Sequence, residues 1–294
     1  MEIWQAILLG IIEGITEYLP VSSTGHLIVA QRFMQIGTDS DTSKYAADAF
    51  AICIQGGAIL AVLGLYYKHV LRMIKGVLGQ DPEGLKLAIA VIVGFLPAAV
   101  LGLLLNDIIE EKLFGLWPVI AAWIIGGIGI LWTISWRRKN PPRGNGRDIL
   151  KLAWQSALFI GLLQCVAMWP GTSRSLMTIC GGLIVGLSVK AAVEYSFLLG
   201  VLTLTAATAK KAVWGIEGAG AQYDTWFGGS QLMLDTYGIA PLLAGLIAAA
   251  ISAAFAVKWL VSYLQSHGLQ IFAYYRISAG ILAAILILTN TIHA

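Results

Sequence analysis

The sequence predicts an all-α membrane protein that crosses the bilayer six times, and three observations carry that prediction. Charged residues make up 12% of the 294 positions and hydrophobic ones 58%, about half the charge of a soluble domain. Six windows, 50–67, 88–105, 117–136, 191–209, 239–261 and 271–288, run almost without charge, each long enough to cross ~30 Å of hydrocarbon. Two further stretches, 3–35 and 152–187, are equally apolar but interrupted by proline and polar clusters.

In chain order, the stretch 3–35 comes first. Pro20-Val21-Ser22-Ser23-Thr24-Gly25-His26 interrupts it, because proline and glycine break a helix. The freed backbone groups cannot face lipid, so this stretch reads as two half-helices meeting at a turn inside protein or beside water. Three spans follow. A Pro- and Gly-containing basic loop at 137–151 then leads to 152–187, broken in the same way at Pro170-Gly171-Thr172-Ser173-Arg174-Ser175, and to the last three spans.

Lysine and arginine orient the chain. Lys68, Arg72, Lys75 and Lys86 mark one cytoplasmic connection, and Arg137, Arg138, Lys139, Arg143, Arg147 and Lys151 another. The acidic connections at 37–48 and 106–112 belong outside, as does the loop 215–237 with Glu217, Asp224 and Asp235. Lys210 and Lys211 fall near an outer helix end, where long side chains snorkel to the interface.

The halves echo each other, 1–140 against 148–294 within one membrane domain. Gly10-Ile11-Ile12-Glu13 through Pro20 and Ser22-Ser23-Thr24 parallels Gly161-Leu162-Leu163-Gln164 through Pro170 and Thr172-Ser173-Arg174. Gly94-Phe95-Leu96-Pro97 parallels Gly238-Ile239-Ala240-Pro241. With an odd number of crossings per half, the second copy is expected upside down, and such inverted repeats place a site near the midplane where the breaks meet.

The remaining composition excludes other classes. A net charge of +3 is too small to imply nucleic acid. The start, Met1-Glu2-Ile3-Trp4, lacks the basic region of a removable signal peptide. Cys53, Cys165 and Cys180 have neither disulfide nor zinc spacing and read as small buried hydrophobes. His69, His267 and His293 read as solvated. Tyr274-Tyr275-Arg276 reads as an aromatic and basic belt at the membrane surface, with Arg276 able to reach inward, and Asp48, Gln55 and Glu194 as polar residues near span ends.

Chemistry concentrates at the two breaks. Glu13 and Glu17, four apart, share a helix face, and Gly10 and Gly14 at the same spacing leave room for a second backbone. Each carboxylate costs ~2.5–3.5 kcal/mol at mid-bilayer unless it meets a cation, a proton or water. The pair therefore points to a divalent cation, to acid/base work, or to a salt bridge with Arg174. Ser22, Ser23 and Thr24 supply hydroxyls and His26 an imidazole. Arg174 is a planar partner for phosphate oxygens, and the hydroxyls and backbone amides at a half-helix N-terminus complete an anion cradle.

These two motifs resemble the signatures of the undecaprenyl-diphosphate phosphatases, the bacitracin-resistance proteins. The first is Gly-Ile-Ile-Glu13 through Glu17 and Pro20 to His26; the second runs from Pro170 to Thr178. The likeness extends to Ile54-Gln55-Gly56, Glu194-Tyr195-Ser196-Phe197 and Tyr275-Arg276. It implies an inverted-topology repeat with six spans and two re-entrant helix pairs, in a bacterial inner membrane and usually as a homodimer. It further implies hydrolysis of undecaprenyl diphosphate to the monophosphate lipid carrier of cell-wall synthesis, with Mg²⁺ or Ca²⁺. Carried over by motif, Glu13 and Glu17 bind the metal or act as acid and base, and Ser23 and His26 are rival nucleophiles. Arg174 holds the diphosphate with Ser22, Thr24, Gly171, Ser173, Ser175 and Thr178.

The sequence departs from the family's pattern in a longer outer loop around 215–237, and in Gly200-Val201-Leu202, where members commonly have a proline; neither is expected to touch the motifs. The orientation argument opens the site to the outer face. A polyprenyl-phosphate transporter or flippase is the competing reading. A phosphatidate-phosphatase type would need two catalytic histidines and a Lys-x6-Arg-Pro motif, neither of which this sequence has.

Overall fold

The proline at position 20 and the Pro-Gly pair at 170–171 end helices where the sequence says they should. A computed structural model describes residues 1–113, 115–213 and 223–289, and the backbone alone at 106–108, 110–112 and 211–213. The expected outer loop lies outside the described residues as far as 222, and so do Glu217 and His293. The same holds for the side chains of Asp107, Glu110, Glu111, Lys112 and Lys211.

The helices are α1 (Ile3–Tyr18), α2 (Ser23–Phe33), α3 (Asp41–Leu65), α4 (Tyr67–Val77), α5 (Pro82–Leu113) and α6 (Leu116–Lys139). A single 3₁₀ turn, Ile149–Lys151, precedes α7 (Trp154–Val166), α8 (Arg174–Ile184) and α9 (Val189–Val213). Then come α10 (Gly228–Tyr237), α11 (Ile239–His267) and α12 (Gln270–Leu288). Among the described residues six helices, α3, α5, α6, α9, α11 and α12, are long and apolar enough to cross a membrane. They are the six expected windows.

Their exposed faces are greasy at helical spacing. Ile239, Leu243, Ile247, Ile251, Phe255 and Trp259 of α11 are all exposed, as are Leu85, Ile89, Ile92, Leu96, Val100 and Leu103 of α5. An apolar stripe at i, i+4 normally faces a core; turned outward on this scale it is a surface for lipid.

Several expected loops are helical. The acidic segment 37–48 is mostly the first turns of α3, whose start Ser40 caps by accepting the Ser43 N–H at 3.1 Å, with Asp41 at the positive end of the helix dipole. The segment 106–112 continues α5, since its Glu and Lys favour helix and no proline or glycine stops it. Within the basic connection, α4 exposes Tyr67, Leu71, Ile74 and Val77 beside Lys68 and Lys75, the pattern of a helix lying in the membrane interface. His69 is therefore half-buried in a helix and not in a solvated loop. Burial pushes its imidazole down, helped by Arg72 and Lys190 and opposed by Asp148. His267 is exposed as expected, Cys180 is buried, and Cys53 and Cys165 are partly so.

The chain forms two compact units. The first comprises Met1–Tyr18, Ser23–Leu65 and Val201–Lys258. Here α1 lies against α11 with almost no side chain between them: a Cβ on Gly10 would stand 3.1 Å from the Gly245 carbonyl carbon, and one on Gly14 would stand 2.7 Å from the Ala253 nitrogen. Ala6, Leu9, Phe50, Ile54 and Met233 form its core. Tyr237 of α10 meets Phe50 edge-on at 6.1 Å and donates to the Ser43 carbonyl at 3.3 Å.

The second unit comprises Leu19–Ser22, Tyr66–Gly200 and Trp259–Ala294. Close approach again depends on glycine, with Gly161 of α7 against the Gly94 backbone of α5. Tyr195 of α9 donates to the Ala90 carbonyl of α5 at 2.7 Å, and Phe197 meets Tyr66 beside α4 at 5.8 Å. Arg137 ties the end of α6 to the Leu183 carbonyl at 2.9 Å. In each unit, then, a broken segment and first span from one half pack with a short helix and a span from the other.

Candidate active site

Each unit holds polar residues that a membrane helix would not bury without cause. In the first unit Glu13 is 1% and Glu17 7% exposed, both on the inner face of α1. Ser23 opens α2 and donates through Oγ to Glu17 Oε2 at 2.6 Å, a short charge-assisted bond. Gln55 of α3 reaches the same oxygen with Nε2 at 3.4 Å, and its Oε1 accepts from Thr208 Oγ1 at 3.5 Å. His26 lies three residues beyond Ser23, on the same face of α2, and is partly exposed; Thr24 is exposed. A hydroxyl hydrogen-bonded to a buried carboxylate is the arrangement in which the carboxylate can take the hydroxyl proton.

In the second unit the two breaks meet. Ser175 Oγ donates to the Leu19 carbonyl at 2.9 Å. Arg276 of α12, with no solvent exposure, spreads its guanidinium over four carbonyls. Nη1 donates to Pro20 at 3.3 Å, Nη2 to Gly171 at 2.8 Å and Ala122 at 2.9 Å, and Nε to Trp123 at 3.3 Å. One side chain thus holds the first break, the second break and α6. Arg276 is not part of a surface belt; only Tyr274 and Tyr275 are exposed there. Arg276 takes the inward course that the sequence left open, because a guanidinium five residues into an apolar span has backbone carbonyls within reach.

The breaks share a strained backbone. Ser22 has φ 76° and Ser173 φ 77°, unusual for a residue with a Cβ and costing of order 1–3 kcal/mol each. Both immediately precede a half-helix, at Ser23 and Arg174. The structural register therefore aligns Ser22 with Ser173 and Ser23 with Arg174, one residue away from the sequence echo at the breaks and in step with that of Gly10 and Gly161. Gly171, at φ 92°, fits only as glycine, since a Cβ there would stand 2.8 Å from the Val119 oxygen. Ser173 caps α8, its Oγ accepting the Leu176 N–H at 3.3 Å and lying 3.0 Å from Ser175 Oγ.

Arg174 donates through Nη1 to the Ser196 carbonyl of α9 at 2.9 Å, and its guanidinium lies across Gly200, where a Cβ would come within 2.5 Å of Cζ. The departure at Gly200 thus touches the second motif directly, contrary to expectation: without a side chain there, the guanidinium has a seat. Thr178 is fully buried. Its Oγ1 donates to the Arg174 carbonyl at 2.9 Å and lies 2.6 Å from Ser196 Oγ.

Sequence reasoning gave Arg276, Gln55, Ser196 and Gly200 no role at the site and passed over Thr208. Arg276 and Gln55 carried a usable signal, polarity inside an apolar window. The others carried none, since Ser, Thr and Gly are ordinary in membrane helices.

These features define a polytopic α-helical membrane protein whose buried polar groups gather at two helix breaks. The chain belongs to the bacitracin resistance protein BacA family, whose model matches residues 6–282. It is 41% identical to a protein of Sorangium cellulosum named undecaprenyl-diphosphatase, over 95% of this chain and 84% of that protein. Proteins named undecaprenyl-diphosphatase 2 are similar as well. That of Rhodospirillum rubrum is 41% identical over 94% of this chain and 92% of its own length. That of Shewanella oneidensis is 40% identical over 95% and 96%.

Proposed function

We propose that this protein hydrolyses undecaprenyl diphosphate to undecaprenyl phosphate and inorganic phosphate, recycling a lipid carrier and conferring bacitracin resistance. The observation that carries the reading is the 2.6 Å bond from Ser23 Oγ to the buried Glu17 carboxylate, supported by the family and by relatives named for this activity.

Glu17 takes the Ser23 proton as Ser23 Oγ attacks the terminal phosphorus in line. The bond from that phosphorus to the bridging oxygen breaks, and the lipid monophosphate leaves. Water then cleaves the phosphoserine and releases phosphate. His26 is the alternative attacker, through a phosphohistidine. Arg174 neutralises charge on the phosphoryl oxygens, the kind of stabilisation that dominates phosphoryl transfer. Ser22, Thr24, Ser173 and the amides at the start of α8 complete the cradle. Ser175, Thr178 and Gly171, whose polar groups bond within the protein, hold its shape.

The donor set suits a cation that arrives on phosphate. Among the described residues no three His, Cys, Asp or Glu side chains form a metal cage, and Mg²⁺ commonly takes one or two carboxylates plus substrate phosphates. Glu13 and Glu17 would hold Mg²⁺ or Ca²⁺, which supplies charge neutralisation at the diphosphate. The exchange of helices between halves within each unit supports an inverted repeat of 1–140 and 148–294. The charge pattern supports a site opening outward, and the reading places the protein in a bacterial inner membrane as a homodimer.

The test is phosphate release from undecaprenyl diphosphate by the purified protein. The proposal expects one phosphate per lipid monophosphate formed. Lipid movement across vesicles without phosphate release would replace it with the transporter or flippase reading.

A further inference from the structure

Gln55 is a carboxamide inside an apolar span, between Ile54 and Gly56 of α3. Such a group is costly to bury unless it is bonded. Its bonds run to one place. Nε2 faces Glu17 Oε2 at 3.4 Å, the oxygen that also accepts Ser23 Oγ, while Oε1 faces Thr208 Oγ1 at 3.5 Å.

An amide can turn either end toward a carboxylate, and only the N–H end is attractive. Thr208, donating its hydroxyl proton to Oε1, favours the end that is attractive. Both contacts are long, so what they supply is direction more than strength. Thr208 orients Gln55, Gln55 orients the Glu17 carboxylate, and the carboxylate meets the Ser23 hydroxyl.

We infer that Gln55, oriented by Thr208, is a positioning residue that keeps the Glu17 carboxylate aimed at Ser23. The inference rests on the phosphatase reading and deepens it by adding a supporting relay to the proposed base. It assigns neither residue a contact with substrate, so its signature is a loss in kcat with KM little changed.

The experiment is a double-mutant cycle on the full-length protein in proteoliposomes, read as phosphate release from undecaprenyl diphosphate. Gln55→Leu should lower kcat by roughly tenfold, the loss expected for one modest hydrogen bond to a charged group, with KM within about twofold. Thr208→Val should lower kcat about threefold, and Thr208→Ser, which keeps the hydroxyl, should restore it. Gln55→Leu/Thr208→Val should be no slower than Gln55→Leu alone, because the second link has nothing left to orient.

Gln55→Glu, near in size and fully polar, guards against a packing defect and should also be slow, since it sets a second carboxylate against the first. Wild-type kcat in Gln55→Leu, or losses that multiply in the double variant, would overturn the inference. Glu17→Gln run in parallel separates the two levels. An inactive Glu17→Gln beside an unaffected Gln55→Leu sinks the relay alone, while a fully active Glu17→Gln sinks the base assignment beneath it.

Discussion

Arg276 offers the sharpest perturbation, because charge, donor geometry and function can be separated there. Replacing it with methionine keeps the length and removes every donor. The carbonyls of Ala122 and Trp123 lie in mid-helix α6 and keep their helical bonds, but those of Pro20 and Gly171 lie in breaks. Leaving two buried carbonyls without that partner costs about 1–3 kcal/mol each. Against this, the buried guanidinium no longer has to be desolvated, which returns several kcal/mol. The net loss in stability for Arg276→Met is therefore small, below about 3 kcal/mol. Arg276→Lys keeps the desolvation cost and loses the planar fork, so it should be less stable than Arg276→Met.

Turnover should behave differently. Without the pin, the breaks at Pro20 and Gly171 relax relative to each other, and a misplacement near 1 Å costs on the order of 100-fold. Unfolding in SDS followed by tryptophan fluorescence, together with phosphate release in proteoliposomes, measures both quantities. Folded Arg276→Met with turnover within about threefold of wild type would refute the reasoning. So would an Arg276→Lys that is more stable than Arg276→Met.

Other consequences are as direct. Gly200→Ala places a methyl where the Arg174 guanidinium lies and should lower kcat/KM by at least about tenfold while leaving α9 folded, since alanine favours helix over glycine; helicity by circular dichroism and phosphate release check both halves. Tyr195→Phe removes one buried bond to the Ala90 carbonyl and should cost about 1–2 kcal/mol of stability without changing turnover. Chelation with EDTA should stop phosphate release, and Mg²⁺ or Ca²⁺ should restore it in wild type but not in Glu13→Ala/Glu17→Ala. At the exposed turn between α4 and α5, the Arg72 side chain first, then the Gly84 N–H, holds the Asp81 carboxyl down from 3.8 to about 2. A depressed acid stabilises the fold above its unfolded value and loses that contribution as pH falls toward the folded one. Hydrogen-exchange protection of the Gly84 amide should therefore fall between those two pH values, and Asp81→Asn should abolish the dependence.

The six spans and both breaks were legible in the sequence because each rests on a local rule: enough apolar length to cross hydrocarbon, or a proline and polar cluster that cannot continue a helix. The expected close approach at Gly10 and Gly14 also holds, since spacing of four on a helix is local geometry. What stayed hidden depends on partners distant in sequence. Arg276 bonds to Pro20 and Gly171, and nothing near Arg276 announces either. Gly200 stands out only as a departure from the family's usual proline until the Arg174 guanidinium is found upon it. The one-residue register difference between the breaks could be counted in the echo, since Gly10 pairs with Gly161 but Pro20 with Pro170; which offset holds at the breaks shows only in the positive φ shared by Ser22 and Ser173. Loop assignments failed at 37–48 and 106–112 for a different reason: charge marks the exit from hydrocarbon, not the end of a helix.

Single-turnover phosphate release, measured on wild type, Ser23→Ala and Arg174→Ala in the same vesicles, bears most directly on whether the hydroxyl at one break and the guanidinium at the other serve one reaction. The account predicts stoichiometric phosphate from wild type and losses of at least about 1,000-fold in each folded variant. Full-rate release by Arg174→Ala would contradict it.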